Sequence, residues 1–219
     1  MPMIYPWSSP LLDRLRDHIA GGPARDGAHD LSHVLRVAGL AEDIATEEGA
    51  DVEACVAGAL LHDLVYLPKN HPDSPHSAAR GAAMVPDWCA FDPGLAAKTD
   101  VIAHCVAAHS FSGGLAAQTL EARVVQDADR LEALGAIGIA RTFATGGSFG
   151  GGLWHPRDPW GANRELDDKA WSLDHFPRKL LRLAGAMNTA AGRRRAAARE
   201  RVIQDFLAAL REELGAGEP

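Results

Sequence analysis

The apolar run Val56 to Leu61 leads without a break into His62-Asp63. Such a run reads as buried core, and an imidazole and a carboxylate at its end are costly there unless something takes up their polarity. Adjacent side chains on a helix diverge by about 100°. The doublet therefore converges on one point only at a helix end or beside a cleft. A divalent cation is one partner for it, since imidazole and carboxylate are both common ligands. A buried hydrogen-bonded pair is the other. Any fold for this chain must bury the helix and still give its last residues a polar site.

Apolar positions elsewhere recur at helical spacing. Leu11, Leu12, Leu15 and Ile19 follow Pro10 and stop at Gly21-Gly22-Pro23. Asp30 or Ser32 caps a second helix whose stripe is Val34, Val37, Leu40, Ala41 and Ile44, and Asp51 opens the helix that ends at His62-Asp63. Further helices are predicted over 77–85, 95–108 and, broken by an acidic turn, 119–141. The last runs over 189–214, with Ile203, Phe206, Leu207, Leu210 and Leu214 on one face. Residues 145–168 change character: they are rich in glycine and carry His155-Pro156 and Asp158-Pro159. A long loop inside a domain is usually a functional lid or a linker, and a lid is the expectation here. No alternating strand pattern appears, so the fold class is all-α, with 1–219 expected to be a single domain.

Composition narrows the partners. A net charge of −7 gives no sign of nucleic-acid binding, and no window approaches a membrane span. Cys55, Cys89 and Cys105 are odd in number and lie in apolar helical contexts, which points to reduced core residues and a cytoplasmic location. An anionic ligand would need local cations to hold it.

His33 on one helix, His62-Asp63 at the end of the next and the acidic turn Gln126-Asp127-Ala128-Asp129-Arg130 can together supply two imidazoles and two carboxylates. Asp127 and Arg130 share a helical face, while Asp129 lies about 200° from Asp127. Either carboxylate can therefore be the one that faces the imidazoles. Such a set leaves positions open on an octahedral ion for water and a phosphoryl oxygen.

The order His33, His62-Asp63, Asp127 resembles the H, HD, D signature of the HD-domain superfamily of metal-dependent phosphohydrolases. Five blocks resemble a bacterial subgroup of HD hydrolases more closely. They are His29-Asp30-Leu31-Ser32-His33 with Arg36-Val37; Leu61 to Val65 with Lys69-Asn70-His71-Pro72; Ala107-Ala108-His109-Ser110-Phe111-Ser112; Val125 to Gly138; and Asp174-His175-Phe176 with Lys179-Leu180-Leu181.

The resemblance implies a helical bundle with the metal at its centre, bound by His33, His62, Asp63 and Asp127, which leaves Asp129, about 200° around the helix from Asp127, to cap or pair away from the metal. Manganese or magnesium is the expected ion, with other transition metals allowed. It implies hydrolysis of a small phosphorylated substrate, a nucleotide above all, and is compatible with a homodimer. Lys69, Arg130 and Arg36, in that order, are the candidate cations for charge on the phosphoryl oxygens. His109 is a candidate substrate contact, acid or second-metal ligand, with a core role the alternative. His29, His175 and Lys179 are candidate substrate contacts. Two other readings are a di-iron HD oxygenase, for which His104 and His109 are the evident extra ligands, and a nucleotide-binding HD module without turnover.

Overall fold

The computed structural model describes residues 9–23, 25, 29–67, 71–110, 114–148 and 150–215. Apart from one isolated bridge, Gly152 to Trp171, the described residues carry no β-structure, and the fold is all-α. None of their helices is long and apolar enough to cross a membrane. The single domain expected over 1–219 meets a chain that divides into two compact units, Met1–Asp129 and Arg130–Pro219.

The first unit contains α1 (Pro10–Gly21), α2 (Leu31–Glu48), α3 (Val52–Leu61), α4 (Ser77–Cys89), α5 (Pro93–Ala96), α6 (Thr99–Ala108) and most of α7 (Leu120–Leu131). Its helix starts follow the local signals. The Ser9, Asp30 and Asp51 side chains accept from the backbone N–H of Leu12, His33 and Ala54, giving three side-chain caps. α3 is buried on nearly every side, from Ala54 and Cys55 to Leu60 and Leu61, as a helix without a polar face must be. It packs on α2 and α6. Gly58 sets the approach to α6: a Cβ there would stand 2.7 Å from that of Cys105. Cys55, Cys89 and Cys105 are free and buried, and burial pushes the Cys55 thiol up to about 12.

The second unit contains α8 (Gly135–Ser148), a run of short turns from Ser172 to Ala186 that includes α9 (Leu181–Leu183), and α10 (Ala190–Glu213). Phe143, Phe176 and Phe206 meet in its core with centroids 5.8–6.0 Å apart. The loop expected from residue 145 begins later, because α8 runs on to Ser148. Gly146 is buried there, and a Cβ would stand 2.1 Å from Ser172 Oγ. Its glycine serves close packing. The segment that follows is internally braced: Gly152 exchanges backbone hydrogen bonds with Ala170 and Ser172, Asp158 accepts from Ala162 and Asn163, and Arg164 grips Asp174.

Candidate metal centre

His33 stands in the first turn of α2 and is 1% exposed. His62 follows the last residue of α3 with helical dihedrals, and its Nδ1 donates to the Ala59 carbonyl at 2.6 Å. A carbonyl only accepts, so this bond fixes the tautomer and leaves Nε2 aimed away from the helix. There it meets His33 Nε2 at 3.3 Å. His109 repeats the device at the end of α6, with Nδ1 on the Val106 carbonyl at 2.7 Å and Nε2 3.8 Å from Asp63 Oδ1. The His62 and His109 rings lie 5.0 Å apart.

Two carboxylates close the group. Asp63 Oδ2 is 3.5 Å from His62 Nε2 and 3.9 Å from His33 Nε2. Asp129 Oδ1 is 3.5 Å from His33 Nε2 and 3.9 Å from His62 Nε2. The sequence reading placed Asp127 here and Asp129 elsewhere, and the structure reverses the two. They do point to opposite sides of α7, but Asp127 takes the core side, 0% exposed, while Asp129 faces the imidazoles. Among the described residues, donor atoms of His33, His62 and Asp129 all lie within 4.8 Å of one another.

This donor set fits a divalent cation. Ligands at about 2.1 Å from an ion stand about 3 Å apart when adjacent and about 4.2 Å when opposite. The distances of 3.3–3.9 Å fall between these limits. Without an ion, the same charges act on protons. Burial works against a charged His62, but Asp63 and Asp129 outweigh it and push the imidazole up to about 9. Burial likewise opposes the Asp63 and Asp129 charges, yet His62 and its neighbours hold both carboxyls below their ordinary range. His109 is pushed down by burial and by His62.

A cation held by His62 would therefore displace a proton from it at neutral pH. We expect Mn2+ affinity to rise about tenfold per pH unit from neutrality toward pH 9, because fewer His62 rings carry the competing proton as pH increases. Titrations at pH 6.5, 7.5 and 8.5 check this, and a constant affinity would contradict it.

The other expected residues divide between the two units. Lys69 lies outside the described residues. Arg36 is partly buried on α2, and the His29 ring stands 5.9 Å from that of His33. Arg130 begins the second unit, where it donates to the Ala186 carbonyl at 2.6 Å. His175 and Lys179 also belong to that unit, with His175 Nδ1 2.9 Å from Asp168 Oδ2. His104 does not join His109: its Nε2 accepts from the Gln118 amide at 3.0 Å. Sequence reasoning missed Arg25. Its guanidinium donates to the Asp63 carbonyl at 3.0 Å and lies 5.4 Å from the Tyr66 ring centroid. Burial lowers its pKa, against the pull of Asp63. A lone arginine after Gly21-Gly22-Pro23 carries no local signal of that role.

The HD domain family model matches residues 30–134. The Bacillus subtilis protein YpgQ is 35% identical over 190 residues, 85% of this chain and 84% of YpgQ. The chain belongs to the HD-domain superfamily. The crystal structure of YpgQ in complex with ADP is similar at a TM-score of 0.69 and 32% identity, covering 92% of this HD protein and 97% of that chain. An HD-superfamily hydrolase from Bacillus thuringiensis is similar at a TM-score of 0.71 and 30% identity, covering 94% and 95%. The matched HD segment contains His33, His62, Asp63, His109 and Asp129 and leaves out α1 and Arg25.

Proposed function

We propose that this HD protein is a metal-dependent phosphohydrolase acting on nucleotides or related small phosphorylated metabolites. The observation that carries the reading is the convergence of His33, His62 and Asp129 donor atoms within 4.8 Å, with Asp63 beside them. The ADP complex of YpgQ supports a nucleotide as the ligand class. His33, His62, Asp63 and Asp129 would hold the ion, manganese or magnesium in this reading. When bound, such a cation polarises a phosphoryl oxygen and lowers the pKa of water.

The chain's own groups supply the rest. The backbone bonds of His62 and His109 keep both Nε2 atoms directed at the carboxylates. His109 Nε2, facing Asp63 Oδ1, is placed to accept a hydrogen bond from a water or substrate hydroxyl. Lys69, Arg36 and His29 are the proposed phosphate contacts nearest in sequence to the ligands. Arg130, whose guanidinium donates to the Ala186 carbonyl, is a further proposed cation. A di-iron oxygenase would need a second ligand set, and the hydrogen bond of His104 to Gln118 removes one of its two evident members.

Incubating the protein with nucleoside and deoxynucleoside mono-, di- and triphosphates in Mn2+ or Mg2+, with products resolved by phosphorus NMR, tests the reading. Pyrophosphate released with a monophosphate identifies a pyrophosphohydrolase, and inorganic phosphate alone a phosphatase. No product from any of them, with Mn2+ bound, removes the proposed activity.

A further inference from the structure

α3 ends at Leu61, and the carbonyls that follow have no helix to continue into. Two of them are taken by side chains that precede the family-matched segment. His18, in the last turn of α1, reaches the Leu64 carbonyl oxygen with Nε2 at 3.0 Å, so that nitrogen carries the proton. The ring stands edge-on to Trp88 with centroids 5.3 Å apart, and the Arg14 guanidinium covers the same indole at 4.3 Å. Packing thus fixes its direction. Arg25 donates to the Asp63 carbonyl at 3.0 Å and to that of His29 at 3.4 Å. One arginine therefore ties the backbone of the Asp63 turn to the residue that precedes the Asp30 cap of the His33 helix.

We propose that His18 and Arg25 are positioning residues of the metal centre, a clamp on the carbonyls of the turn that carries His62 and Asp63. This rests on reading His33, His62, Asp63 and Asp129 as metal ligands. A carboxylate at a helix end is only as well aimed as the backbone behind it, and hydrogen bonds behind ligands set metal affinity in general. α1, outside the matched HD segment, is then part of the site. Because coupling between two equilibria is reciprocal, a bound ion also tightens α1.

The test is a Mn2+ titration of the full chain as wild type, His18→Phe, His18→Gln and Arg25→Met, with amide exchange followed across residues 10–21 with and without Mn2+. His18→Phe keeps an aromatic edge for Trp88 and removes the donor, whereas His18→Gln restores one. We expect affinity to fall about tenfold or more in His18→Phe and Arg25→Met, to recover in His18→Gln, and helical circular dichroism to stay unchanged. Exchange in α1 should slow with Mn2+ in the wild type and lose that response in His18→Phe. Unchanged affinity in both His18→Phe and Arg25→Met overturns the clamp. Equal losses in His18→Phe and His18→Gln, with α1 exchange indifferent to Mn2+, overturn it as well. A wild type that binds Mn2+ but hydrolyses no nucleotide removes only the proposed activity, while one that takes no Mn2+ removes both.

Discussion

Replacing Asp129 with Asn lowers Mn2+ affinity by more than about 100-fold, whereas Asp127→Asn leaves it within a few-fold of the wild type. The magnitude follows from position. Outer-shell hydrogen bonds alone are worth about 10–100-fold in metal affinity, and Asp129 Oδ1 belongs to the donor group itself, 3.5 Å from His33 Nε2. Its loss also leaves His33 and His62 facing each other at 3.3 Å with one carboxylate fewer to offset a cation. Asp127 is fully buried on the other side of α7. There the amide costs stability, about 1–3 kcal/mol for a disturbed buried polar group, and leaves the ligands in place. Isothermal titration with Mn2+ beside a thermal melt separates the two effects. A variant pair with the opposite pattern would return the ligand role to Asp127.

Asp174→Ala destabilises the second unit by about 3 kcal/mol, the low end for removing one partner of a buried ion pair. The Asp174 side chain is 1% exposed, and Arg164 grips it through both guanidinium nitrogens at 2.5 and 2.7 Å. It also accepts from the Asp167 amide at 2.7 Å. The low end applies because the Arg164 side chain is 16% exposed and water recovers part of its charge. For a chain of this size the melting temperature should drop by about 6–12 °C. Asp174→Asn keeps an acceptor and should lose less. A shift below about 2 °C in Asp174→Ala, measured by circular dichroism, would show that the brace contributes little.

The helices were legible because their signals are local. Asp30 and Asp51 cap where short polar residues before apolar periodicity predict them, and the structure adds caps at Ser9 and Thr189. α3 reads as buried from its composition alone, and His62-Asp63 at its end reads as a site because an ionisable pair there needs a partner. The glycine-rich stretch misled by composition: Gly146 sits against Ser172 inside a regular helix, a need for closeness that looks like looseness in one dimension.

By itself the sequence determined that the chain is helical, where most helices start, and that His33, His62 and Asp63 are candidates to meet. It also determined that Asp127 and Asp129 oppose each other, since two residues on a helix are always separated by about 200°. Only the tertiary structure decided which of them faces the imidazoles. Periodicity fixes angles between residues of one helix and says nothing of how far that helix is turned toward its neighbours. For the same reason Arg25 and His18 escaped notice: each serves a carbonyl far along the chain, at Asp63 and Leu64, and only packing brings them there.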